Sequence, residues 1–222
     1  MNSGKLLLML VCFGMLCNAQ NYFELPNVSK TYNVIANIES CGEKKCNGKT
    51  TIDLYDKTTM KKYQTLSSND FYLDFDEIRK PILDSLKNSI IFDDFNFDGI
   101  DDVAVRNGNS NNKNPFYEVY INDSAKQFVL NDDFTSLVRS NPGMFKINSE
   151  RQRIITYQED GCCWNLSSEY QFFPKKGLVK VLEFEEDTRD PKKVITVKRE
   201  FIDYKWFSKT TTYPKELYIK EK

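Results

Sequence analysis

The chain has 222 residues, 31 Lys and Arg against 32 Asp and Glu, no histidine, and a mean hydropathy of −0.55. Charges of both signs are mixed along it with no basic stripe, which argues against a nucleic-acid partner. Without histidine there is no Ser-His-Asp or Cys-His nucleophile pair, and most zinc sites are removed as well; the chain is expected not to be an enzyme, with only carboxylate chemistry of the glycosidase kind left to it.

Met1–Ala19 reads as a secretory signal: Lys5, the apolar run Leu6–Leu16, then Cys17-Asn18-Ala19 as the cleavage site. The run is too short to span a bilayer, and no later segment is apolar enough to do so. Lipid anchoring competes, because Cys12 and Cys17 lie here, but Val11 and Leu16 stand where a lipoprotein signal wants a small residue. The expected product is a soluble periplasmic or secreted protein, residues 20–222, forming a single β-rich domain.

Four cysteines remain after cleavage: Cys41, Cys46, Cys162 and Cys163. In an exported chain they are expected in disulfides. Cys41 and Cys46 are close enough to close across a turn, and Cys162 and Cys163 are adjacent, but all three connectivities stay open at this level.

Strand–turn–strand units then recur. Tyr32–Ile38 reads as a strand. Ile52–Tyr55 and Lys62–Leu66 flank a Lys-rich turn. Asp76–Lys87 has helical character, but Pro81 limits it to a short helix after that residue. Tyr117–Ile121 with Gln127–Leu130, Met144–Ile147 with Arg153–Thr156, and Tyr170–Phe173 with Leu178–Leu182 are further hairpins. Strands at Val194–Phe201 and Lys205–Thr211 complete the series. Between the first and second groups, Asn107–Asn114 holds five Asn and no apolar residue, the mark of a long exposed loop. The pattern predicts an all-β, antiparallel, β-propeller-like fold of about four to five small irregular blades, at roughly 40–45 residues per blade; a β-sandwich or barrel is the rival.

Asp94-Phe95-Asn96-Phe97-Asp98-Gly99-Ile100-Asp101-Asp102 carries the chemistry. It reads D-x-N-x-D-G-x-x-D, the spacing with which a tight loop wraps Ca²⁺. Asp94, Asn96, Asp98 and Asp102 would supply side-chain oxygens and Ile100 its carbonyl, while Gly99 lets the backbone turn. Val105 stands where an EF-hand needs Glu, and Ser89–Phe92 and Val103–Val105 read as strands, so the site is of strand–loop–strand type. A plain Asp98-Gly99 hairpin turn is the simpler alternative, but it leaves the other oxygens unexplained.

Three features in order, the calcium loop, the Asn107–Asn114 loop leading into Tyr117-Glu118-Val119-Tyr120, and Asp160-Gly161-Cys162-Cys163-Trp164, resemble a family of bacterial periplasmic proteins with a β-propeller-like fold. The resemblance runs from about Ile90 to Phe201. It implies a lysozyme inhibitor of the immunity type, whose partner is a peptidoglycan-cleaving enzyme. The family's Gly- and Tyr-rich loop is replaced here by Asn107–Pro115, and its His after Cys-Cys-Trp by Asn165. On this reading Asn107, Asn109, Asn111, Asn112, Lys113, Asn114 and Trp164 are the candidate partner contacts, and the calcium site fixes the loop that follows it. Trp164 packed over the adjacent disulfide inside the core is the competing expectation. The loop is also similar to those of integrin-type propeller repeats, which implies, as an alternative, a calcium-dependent adhesion or surface-binding module.

Overall fold

The computed structural model describes residues 21–109, 114–123 and 127–220. The proposed signal segment Met1–Ala19 and the loop residues Asn111, Asn112 and Lys113 lie outside them. Among the described residues, no helix is long and apolar enough to cross a membrane.

The strands fall into three antiparallel sheets, each a meander contiguous in sequence. The first holds β1 (Tyr22–Leu25), β2 (Tyr32–Cys41), β3 (Lys45–Asp56) and β4 (Lys62–Asp74). A short helix, α1 (Leu83–Ser89), then follows Pro81 as expected. The second sheet holds β5 (Ile90–Asp93), β6 (Asp102–Asn109), β7 (Pro115–Asn122) and β8 (Phe128–Leu130). After helix α2 (Asp132–Arg139), the third runs through β9 (Lys146–Asn148), β10 (Arg153–Asp160), β11 (Trp164–Phe173), β12 (Gly177–Asp187), β13 (Lys193–Ile202) and β14 (Lys205–Pro214). Helix α3 (Lys215–Lys220) ends the described chain. The all-β expectation and the hairpins hold. The count of four to five blades does not, because the strands gather into three sheets of four, four and six strands. None of the sheets closes on itself, so a barrel is not formed either.

Alternation along β6 explains how the sheets stack. Val103 and Val105, with Ile90, face the first sheet and join Val34, Ile52, Leu54 and Phe71 in one core cluster. Ala104, between them, faces the other way with Tyr117 and Val119, into a second cluster built with Phe134, Phe145 and Ile154. β6 is therefore apolar at consecutive positions because both of its faces are buried. Two polar brackets tie its sheet to the first. The Gln64 amide exchanges two 2.8 Å hydrogen bonds with the backbone of Phe128. The Asn107 Oδ1 accepts from the backbone N–H of Asn69 and Asp70 at 2.8 and 3.1 Å.

Helix α2 fills the second cluster. Asn131 caps it, its side chain accepting from the N–H groups of Asp133 and Phe134, and Phe134, Leu137 and Val138 form its buried face. Gly177, at φ +72°, lets β12 start against this helix: a Cβ there would stand 2.3 Å from Asp133 Oδ2. Phe134 is fully buried, with its ring centroid 5.6 Å from that of Phe172 and 6.0 Å from that of Phe145. Phe134→Ala is expected to lower unfolding free energy by about 3–5 kcal/mol, measured by denaturant titration.

Candidate functional site

Residues 94–101 join β5 to β6, too many for a two-residue Asp98-Gly99 hairpin turn. The loop is closed by its own side chains. Asp94 accepts the N–H of Asp98 on Oδ1 at 3.0 Å and that of Gly99 on Oδ2 at 2.8 Å. Asn96 Oδ1 takes the same Asp98 N–H at 2.9 Å, and its Nδ2 donates to Asp98 Oδ2 at 2.8 Å. Asp98 Oδ1 accepts from the Ile100 N–H at 2.9 Å. Phe97 and Gly99 adopt φ of 63° and 88°, which allows the chain to turn back on itself twice. Asp94, Asn96 and Asp98 thus surround one turn, with oxygens of the first two meeting at a single N–H.

Asp102 plays a different part. It is fully buried. Its Oδ2 accepts from Phe95 and Asn96 N–H at 2.8 and 3.2 Å, and its Oδ1 from Asn122 N–H, at the end of β7, at 2.8 Å. Burial pushes its carboxyl up to about 7; the three N–H bonds pull the other way, and the charge of Asp98 adds to the rise. Among the described residues, no three His, Cys, Asp or Glu side chains converge as a metal-holding group. The loop's donors are nevertheless oxygen alone, in kind what a hard cation such as calcium takes, and each keeps lone pairs beyond its N–H bonds.

Beside the loop lies a cleft of about 570 Å³, walled by Asn96, Phe97 and Asp98 on one side and by Gln152, Gln171 and Phe172 of the third sheet on the other. The two glutamines come from turns and strand ends far away in sequence, and only the stacking of the sheets brings them here.

The remaining candidates sit at the other end of the sheets. Asn107 and Asn109 lie at the far end of β6, inside the strand rather than in a loop. Asn107 is a bracket to the first sheet, and its Nδ2 also donates to Glu118 at 2.8 Å. Asn109 accepts from Arg106 Nη2 at 2.8 Å, and Asn114 stands just before β7. Because β6 begins at Asp102 and ends at Asn109, a strand rise of about 3.3 Å per residue sets the 94–101 loop and the start of the Asn-rich connection about 23 Å apart. The expectation that the calcium site directly fixes that connection is therefore corrected. Trp164 opens β11 while Gln171 of the cleft lies near its close, so Trp164 too is at the end away from the 94–101 loop.

Trp164 does not enter the core. It is half-buried at the sheet surface, and its Nε1 donates to Glu185 at 2.9 Å. This bond and that of Arg199 Nη2 at 2.8 Å hold the Glu185 carboxyl below its usual range. Asn165 Nδ2 reaches Glu186 at 3.4 Å. Ahead of Trp164, Gly161, Cys162 and Cys163 form the turn from β10 to β11, with Asp160 paired to Trp164. The disulfides are local: Cys162–Cys163, with Cα atoms 3.7 Å apart, and Cys41–Cys46, across paired positions of β2 and β3. The second lies at the same end as Asn109, since Lys45, Asn47, Gly108 and Asn109 line one shallow cleft. These bonds fit an exported protein.

No protein-family model matches the chain, and no curated protein sequence matches it. A solved structure described as "Structure of a Xanthomonas Type IV Secretion System related protein" is similar to it, with a TM-score of 0.63 over 86% of this chain and 98% of that one, at 22% sequence identity. The likeness is one of fold.

Two outcomes follow from the geometry. Asp102→Ala strands two buried N–H groups and a third that is partly buried, and is expected to lower unfolding free energy by about 3 kcal/mol or more in chelator, whereas exposed Asp98→Ala should cost well under half as much under the same denaturant titration. Thiol titration of the exported chain, unfolded but not reduced, should find no free cysteine.

Proposed function

We propose that the chain is an exported calcium-binding protein that binds a peptidoglycan-cleaving enzyme and blocks it, as lysozyme-inhibitor immunity proteins do. The observation that carries the reading is that the stretches bearing the family resemblance fold as a self-bracketed oxygen loop and a disulfide-tipped turn, on a fold shared with a protein described as type IV secretion system related. On this reading the three stacked meanders are an open arc of three blades.

The partner would meet the end that holds Asn107, Asn109, Asn114, Trp164 and both disulfides. Local cross-links and the Asn107 bracket keep that end ordered before contact, which lowers the entropy cost of association. Trp164, half exposed and anchored through its N–H, has the amphipathic character of an interface anchor. Calcium at Asp94, Asn96, Asp98, the Ile100 carbonyl and Asp102 would supply positive charge among carboxylates that otherwise repel. Its work is structural, at the opposite end. A single copy of the loop in the chain speaks against an adhesion array.

The test is a titration of the purified protein into a panel of lysozymes and envelope hydrolases, with and without calcium. Inhibition should saturate near one protein per enzyme, and Trp164→Ala or a shortened Asn109–Lys113 stretch should weaken it at least tenfold without lowering the melting temperature. Calcium at a hundredfold excess over its Kd should stabilise the fold by about 2.7 kcal/mol, and Asp98→Ala should abolish that gain while leaving inhibition near its original strength. A panel in which no enzyme is inhibited would overturn the reading.

A further inference from the structure

The third sheet ends in an open strand. β14 pairs with β13 along its whole length, from Lys193↔Pro214 to Ile202↔Lys205, with no register shift, and has no neighbour on its other side. Its residues are exposed, among them Trp206 at 47%, Phe207 at 55% and Tyr213 at 37%. An edge of this length is ordinarily shortened, bulged or covered. Here α3 follows the strand but turns back over the sheet. The Tyr218 hydroxyl donates to Glu186 on β12, and its ring packs 5.3 Å from that of Tyr213. The outer edge of β14 is left bare among the described residues.

We propose that β14 is the contact strand of a symmetric homodimer, in which it pairs antiparallel with β14 of a second copy. The register follows from the backbone. Lys215 N–H donates to the Lys192 carbonyl at 2.9 Å, and hydrogen-bonding positions alternate along an antiparallel pair. Odd-numbered residues of β14 therefore turn their backbone groups toward β13. Trp206, Ser208, Thr210 and Thr212 turn theirs to the open edge. A two-fold pairing must set outward positions against outward positions, so it is centred on a single residue. Centred on Lys209, it would oppose two lysines directly, which is destabilising. Centred on Thr210, it opposes Thr210 to its own copy, Ser208 to Thr212, Phe207 to Tyr213 and Lys209 to Thr211. Trp206 then meets Pro214, whose missing N–H falls at the end of the ladder.

That self-complementarity is why a second copy, rather than a strand of another protein, is the occupant. Uncharged hydroxyls meet along one face and an aromatic pair along the other, with no like charges directly opposed between residues 206 and 214; Lys205 alone falls opposite a residue beyond the strand, Lys215 at the start of α3. The six-stranded sheet continues through the two-fold axis into its equivalent.

The test uses the purified exported chain. Sedimentation equilibrium should find a species of twice the monomer mass at micromolar to submillimolar concentration. Thr210→Pro removes an N–H that faces the open edge and no bond to β13; Thr210→Asp places two carboxylates face to face on exposed positions. Both should be monomeric, with melting temperatures close to that of the parent monomer. Under oxidising conditions Thr210→Cys should form a covalent dimer and Thr211→Cys should not. A single monomer-mass species throughout the concentration range overturns the proposal. So does a dimer that survives both Thr210→Pro and Thr210→Asp, or one that Thr211→Cys cross-links in preference to Thr210→Cys.

Discussion

The carboxylate of Asp102 is the point through which the candidate site is joined to the fold. It sits at the first position of β6, wholly buried, and receives N–H groups from the start of the loop and from the last residue of β7. Phe95, whose N–H it holds, is itself fully buried and packs edge-on to Phe145 at 5.5 Å. Loop, middle sheet and second core cluster are thus connected through one acidic group. Isolated burial of a carboxylate is strongly unfavourable, and only the converging N–H groups and any nearby cation make this position tolerable.

The middle sheet separates two kinds of surface. At one end are an oxygen-lined loop and a cleft of mixed polar and apolar lining; at the other, both disulfides, the Asn107 bracket and Trp164. The two ends communicate through β6, whose side chains are packed on both faces, so little strain passes without disturbing two cores at once. A metal at one end would then act on the other through overall stability rather than through a shared loop. The outer strands β12 to β14 are more weakly covered. On β12 and β13 carboxylates and basic groups pair across the sheet, Arg199 bridging Glu183 at 3.5 Å and Glu185 at 2.8 Å.

Much of this was legible in the residues. The hairpins announced themselves by period and by turn composition, because antiparallel meanders depend on contacts close in sequence. The loop was legible for the same reason: Asp94, Asn96 and Asp98 bond N–H groups no more than five residues away. Helix α2 was missed, although Asn131 as cap and Phe134, Leu137 and Val138 at helical spacing carry its signal; eight residues is short enough to be overshadowed by the strands around it. The role of Asn107 could not be read, since its partners Asn69 and Asp70 lie nearly forty positions earlier. Trp164 was drawn toward the core by its apolar bulk, and the acceptor that keeps it at the surface, Glu185, belongs to another strand. That the 94–101 loop and the Asn-rich connection occupy opposite ends follows only once β6 is known to run from Asp102 to Asn109 between them.

Each sheet is complete within one stretch of chain, and each disulfide closes within its own hairpin or turn, at sequence separations of 5 and 1. For a polypeptide threaded through a membrane from its N-terminus, this means that no cysteine has to wait for a partner still on the far side. The Cys41–Cys46 pair lies in the first sheet and the Cys162–Cys163 pair in the third, so neither bond depends on the other's segment being in place. Each cysteine's partner is thus supplied by its own segment of the fold, whatever the state of the rest.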